Sequence, residues 1–208
     1  MLNVYARRAA ARFFGPFARL LTRVGVSPDV VTVVGTAGVT AGALVFFTRG
    51  EFFVGTLVIT LFVFSDLVDG TMARLSGRTS PWGAFLDSTL DRVGDAAIFG
   101  SLVLWFSGDG DDPLRAGLAL FCLVTGAVVP YAKARAEGLG LRCDVGIAER
   151  SDRLVTILVA TGLDGLGVPY VQAAALWVLA AATTVTVVQR MVVVRRQTDA
   201  LGHGPAAR

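Results

Sequence analysis

The stretch from Phe52 to Phe64, FFVGTLVITLFVF, holds no charge and then runs into Asp66, Asp69 and Arg74. Such a run has to be surrounded by lipid or by other apolar helices. A charged side chain in the middle of a membrane helix costs about 2.5–3.5 kcal/mol on insertion scales, so carboxylates there point to function rather than packing. The next apolar stretch opens the same way, with Asp87 and Asp91 in WGAFLDSTLDR. What the chain has to explain is four aspartates at the ends of membrane-like helices.

Apolar residues make up 54% of the 208 and charged residues 17%, and the mean hydropathy is +0.65. That is too apolar for an ordinary soluble domain. Spanning helices need roughly 20 apolar residues, which predicts spans at about 28–48, 52–75, 82–107, 113–138, 152–168 and 170–194. The first starts on Ser27 as N-cap, Pro28 at the first helical position and Asp29 in the first turn. The expected fold is an all-α integral membrane protein of six transmembrane helices. An amphipathic interfacial helix over 1–25, in which arginines interleave with phenylalanines and leucines, precedes them. One membrane domain is expected over 1–196, and a disordered tail over 197–208. Of the nineteen Lys and Arg residues, only Arg49 and Arg115 fall in the predicted outer loops. Both termini are therefore expected in the cytoplasm and the protein in the plasma membrane. Cys122 and Cys143 do not read as a disulfide framework, and the one histidine, His203, excludes a Cys/His metal site. No nucleic-acid partner is expected.

Asp66 and Asp69 are three apart and Asp87 and Asp91 four apart, so each pair shares one helix face. Counted from the turn around Arg78, Asp69 and Asp87 both lie nine residues away. The two pairs thus reach similar depths on antiparallel neighbours. Two divalent cations would cancel the four charges, and all-oxygen ligation favours Mg²⁺, with Mn²⁺ as the alternative, over zinc. Paired oxygen-bound ions are a common clamp for phosphoryl transfer. The alternative is a buried ion network with Arg74, Arg92 and Lys133.

The pattern Asp66-x2-Asp69-Gly70-x2-Ala73-Arg74-x8-Gly83-x3-Asp87-x3-Asp91 resembles the signature of the CDP-alcohol phosphatidyltransferase family. The resemblance implies six transmembrane helices, two divalent metals and a homodimer. It also implies transfer of a substituted phosphate from a CDP-linked donor to an alcohol, with release of CMP. Asp66, Asp69, Asp87 and Asp91 would be the metal ligands, with Asp91 also the base. Gly70 and Arg74 would contact the nucleotide.

Further stretches, SPDVVT, YAKARAEGLGL, IAERSDRL and VQR, are similar to an actinobacterial subgroup of that family whose acceptor is a myo-inositol phosphate. In that likeness Asp29, Val30, Val31, Thr32 and Ser80 help hold CDP-diacylglycerol. Lys133, Arg153 and Arg190 would grip the acceptor's phosphate, which wants two or three fixed cations. Two alternatives are glycerol 3-phosphate as acceptor, giving phosphatidylglycerophosphate, and a divalent-cation transporter. The latter leaves the Gly70, Arg74 and Gly83 spacing unexplained.

Overall fold

The structure is a computed structural model. It describes residues 15, 16, 18–75 and 80–202, and at 66, 67, 73–75 and 202 the backbone alone. Among these residues every regular element is helical. They are α1 (Pro28–Phe46), a 3₁₀ turn (Phe47–Arg49), α2 (Phe52–Val63), α3 (Ser65–Leu75), α4 (Pro81–Ser107), α5 (Pro113–Glu137), α6 (Arg150–Gly165) and α7 (Val171–Gly202). Residues 18–23 are helical too. Most of the expected amphipathic helix over 1–25, and the turn around Arg78, lie outside the described residues.

Four helical stretches are long and apolar enough to cross a membrane: Pro28–Arg49, Phe52–Met72, Pro113–Glu137 and Val171–Leu201. Between 31% and 39% of each apolar window is buried inside the protein, so most of it faces outward, as lipid contact requires. The other two expected spans are different in kind. Asp91, Arg92 and Asp95 interrupt α4, and the 16 residues of α6 reach only about 24 Å at 1.5 Å per residue.

Local chemistry sets the helix starts. The Ser27 side chain accepts the Val30 N–H at 3.3 Å, with Pro28 next in line. At α5 the Asp112 carboxylate accepts the Arg115 N–H at 2.9 Å, with Pro113 in the first position. Arg115 also bonds the Asp112 carboxylate at 2.7 Å, lies 3.8 Å from Asp164 and caps the Phe106 ring at 4.6 Å. Arg115 is thus a local clamp, and its backbone N–H, with its guanidinium second, holds the Asp112 carboxyl below the usual carboxylate range.

The described helices fall into two compact units that meet in sequence at Ser101/Leu102, inside α4. The reason is short connections: each helix finds its main partners close by in sequence. In the first unit α1 packs on α2 and α3, along a stripe of Gly35, Gly38 and Gly42. A Cβ at Gly38 would lie 2.2 Å from the Phe62 ring, and one at Gly42 would lie 3.2 Å from Ile59 and Val58. Small residues here let the two backbones approach, the usual packing device in lipid. Gly38→Ala is therefore expected to lower stability by about 1–3 kcal/mol through overpacking, read by thermal unfolding in detergent. An unchanged unfolding temperature would contradict that close approach.

In the second unit α7 packs on both α5 and α6. Polar pairs tie the helices together: Thr125 with Thr183 at 2.9 Å, Cys122 Sγ to the Leu176 carbonyl at 3.4 Å, and Gln172 to Thr161 at 3.0 Å. Both cysteines are buried and unpaired. One expectation needs correction. Residues 197–202, assigned to a disordered tail, continue α7 to Gly202. Gln197 accepts the Arg142 N–H at 2.9 Å and donates to the Arg142 carbonyl at 2.6 Å, so the helix end is tied down by a partner 55 residues away. Residues 203–208 lie outside the described residues.

Candidate active site

The first unit holds the aspartates. Asp69 sits on α3 at 7% exposure, and the buried Thr32 hydroxyl of α1 donates to its Oδ2 at 2.6 Å. Sequence reasoning had assigned Thr32 to the donor and Asp69 to the metals. The structure joins the two, so the PDVVT stretch is part of the carboxylate's own support. On α4, Asp87 is exposed and Asp91 half-buried. Arg92 Nη2 lies 3.6 Å from Asp91 Oδ2 and 3.9 Å from Asp95 Oδ2. The side chains of Asp66 and Arg74 lie outside the described residues.

The expected meeting of four carboxylates includes Asp66, whose side chain lies outside the described residues; among the described residues no three His, Cys, Asp or Glu side chains gather at metal-binding spacing. Like charges repel, and Asp69 and Asp91 each face a local partner, a hydroxyl and a guanidinium. The donor set is nonetheless all oxygen, on two consecutive helices, which fits a hard divalent cation.

Around the N-termini of α1 and α4 lie the donor-assigned residues. Ser80 Oγ accepts the Gly83 N–H at 3.0 Å and so caps α4. Asp29 Oδ2 accepts the Trp82 indole N–H at 3.1 Å. Val31 packs on the cluster of Ala18, Val68 and Met72, whereas Val30 is exposed. Gly70 is a half-buried position of α3.

The second unit holds the three cations, and all of them reach the segment 144–149. Lys133 Nζ on α5 lies 2.6 Å from Asp144 Oδ1 and 3.8 Å from Glu137. That ammonium holds the Asp144 carboxyl below its ordinary range. Arg153 on α6 is 3% exposed and donates to the Ala148 carbonyl at 3.2 Å. Gly126 makes room for it, since a Cβ there would sit 3.4 Å from Arg153 Nε. Arg190 on α7 donates through Nε to the Val145 carbonyl at 2.9 Å and through Nη1 to the Val129 carbonyl. Its Nη2 is 3.9 Å from Glu149. Thr186 completes the attachment by accepting the Ile147 and Ala148 N–H groups, both at 3.1 Å. Arg190 thus braces backbone with the donors that sequence reasoning had reserved for phosphate.

Asp95, Asp144 and Trp82 are further polar neighbours of these residues. Asp95 was legible as the i+4 continuation of Asp87 and Asp91. Asp144 and Trp82 gave no such signal, because their partners are distant in sequence.

Apolar helices with outward apolar faces, one of them running into a carboxylate-bearing segment, define a multi-pass membrane protein. The CDP-alcohol phosphatidyltransferase family model matches residues 25–138, and the chain belongs to that family of enzymes. It is 59% identical over 214 residues to a phosphatidylinositol phosphate synthase of Streptomyces avermitilis, covering all of this chain and 88% of that one. A phosphatidylinositol phosphate synthase of Mycolicibacterium smegmatis is 43% identical, with 97% and 93% covered. Among solved structures, the Mycobacterium tuberculosis phosphatidylinositol phosphate synthase with CDP-DAG bound is similar at a TM-score of 0.85 and 43% identity. That likeness covers 88% of this chain and 94% of that one. The same protein in complex with manganese and citrate gives 0.82 and 43%, covering 87% and 88%. Membership in this enzyme family disposes of the cation-transporter alternative.

Proposed function

We propose that this enzyme transfers the phosphatidyl group of CDP-diacylglycerol to a hydroxyl of a myo-inositol phosphate and releases CMP. The observation that carries the acceptor class is the approach of Lys133 and Arg153, from two helices, to the segment 144–149, which Arg190 braces from α7. A phosphorylated acceptor has a use for such cations, and a neutral polyol does not. Similarity to synthases of that name along the whole chain supports the same choice.

Asp66, Asp69, Asp87 and Asp91 would hold two Mg²⁺ ions, or Mn²⁺, whose charge would polarise the donor's pyrophosphate and ease the departure of CMP. Thr32 orients Asp69. Asp91 takes the proton of the attacking hydroxyl as the new phosphorus–oxygen bond forms and the bond to CMP breaks. Gly70, Arg74, Asp29, Val30, Val31, Thr32 and Ser80 form the donor's binding surface. The reading further includes six membrane-spanning helices, an interfacial helix over 1–25, a single functional domain over 1–196 and a homodimer. It places both termini and the site at the cytoplasmic face of the plasma membrane.

The test is CMP release by the purified enzyme with CDP-diacylglycerol and Mg²⁺, offering inositol phosphate, glycerol 3-phosphate and free inositol in turn. Turnover confined to inositol phosphate is expected, with chelation of divalent metal abolishing it and Mg²⁺ restoring it. Turnover confined to glycerol 3-phosphate would keep the family chemistry and overturn the acceptor.

A further inference from the structure

Trp82 stands at the start of α4, 59% exposed. Its indole N–H nevertheless reaches across 53 residues of sequence to Asp29 Oδ2, at 3.1 Å. An aspartate in the first turn of a helix has competing choices, because its carboxylate can turn back onto the free N–H groups of its own helix end. The indole bond removes that choice and leaves the second oxygen, Oδ1, turned toward Gly83. A Cβ at Gly83 would lie 3.8 Å from that oxygen and 3.4 Å from Ser80 Oγ, filling the space between them. Ser80 already accepts the Gly83 N–H, so its own O–H stays available as a donor. A carboxylate acceptor and a hydroxyl donor therefore flank one glycine, with Trp82 holding the first in place.

We infer that Trp82 is a positioning residue for the nucleotide end of the donor, acting through Asp29 and setting the affinity for CDP-diacylglycerol rather than the rate of transfer. The inference rests on the proposed assignment of Asp29 and Ser80 to the donor. The Trp82 ring is also stacked loosely on Phe85, centroids 5.9 Å apart. An aromatic pair at a membrane surface has a plain alternative role as an interfacial anchor. The two roles separate on the indole N–H, which matters for the first and not for the second.

The experiment compares wild type, Trp82→Phe, Asp29→Asn and the double variant. It measures direct binding of CDP-diacylglycerol in detergent micelles, the KM of donor and of acceptor, kcat and thermal unfolding. Trp82→Phe keeps a ring and loses the donor. It is expected to weaken donor binding and raise the donor KM by roughly five- to tenfold, the worth of one ordinary hydrogen bond at an exposed site. Acceptor KM, kcat and unfolding temperature should stay within about twofold or a few degrees. On the Asp29→Asn background the same change should add almost nothing, because the coupling is already lost. Wild-type donor binding in Trp82→Phe, or a full additional loss on the Asp29→Asn background, would overturn the inference. So would a loss spread equally over both substrates together with a lower unfolding temperature. Because binding is read without turnover, an enzyme that binds the donor but ignores inositol phosphate refutes the acceptor assignment and leaves Trp82 to be judged on its own.

Discussion

Asp91→Asn is expected to lower CMP release by at least about 10³-fold while the protein still folds, an effect of the size usual for loss of a general base and enlarged by loss of a metal ligand. The substitution keeps the side chain's shape and removes its charge. On α4 the carboxylate faces Arg92 Nη2 at 3.6 Å, and Asp95, one turn further along, lies 3.9 Å from the same nitrogen. Arg92 therefore keeps a carboxylate beside it when Asp91 becomes neutral, and the cost to folding stays small. Turnover and thermal unfolding measured on the same preparation check both halves. If the variant instead unfolded, with activity lost only in proportion, Asp91 would belong to a structural ion network. The four aspartates would then have to be reassigned as packing elements despite their expense in lipid.

That expectation could be framed from the sequence because the aspartates obey a local rule. Spacings of three and four place residues on one helix face whatever the rest of the protein does. The Ser27-Pro28-Asp29 start was legible for the same reason, since a cap uses only its own first turn. Long-range partners were not legible. The Thr32–Asp69 bond joins positions 37 apart and the Trp82–Asp29 bond positions 53 apart. Neither tryptophan nor threonine announces such a partner by its type. The polar composition after Arg196 read as a tail, and only the Gln197–Arg142 pair explains why the helix continues. The lapse between α2 and α3 at Phe64 had no proline or glycine to mark it. Its backbone stays in the right-handed helical region at φ −64°, ψ −16°, so the sequence expectation of one span over 52–75 differs from the structure by a single residue.

Basic residues posed a harder ambiguity, because one guanidinium can anchor a loop, bind phosphate or satisfy carbonyls. Arg190→Ala and Lys133→Ala separate those uses. Arg190 is 3% exposed, and its donors serve the Val145 and Val129 carbonyls, with Glu149 nearby. Its removal strands buried acceptors and releases the 144–149 segment from α7. A stability loss of about 2–5 kcal/mol is expected, the range for breaking a buried charged network, with acceptor and donor kinetics degraded together. Lys133 is different. Its partners Asp144 and Glu137 are exposed carboxylates, and such pairs contribute about 0–1 kcal/mol. Lys133→Ala should therefore leave the unfolding temperature nearly unchanged and raise the acceptor KM about tenfold, with kcat held, as loss of one charge-assisted contact to phosphate requires. Thermal unfolding and two-substrate kinetics on both variants read the difference. A stable Arg190→Ala protein with only a raised acceptor KM would restore Arg190 to the phosphate pocket, because a brace cannot be removed without loosening what it holds.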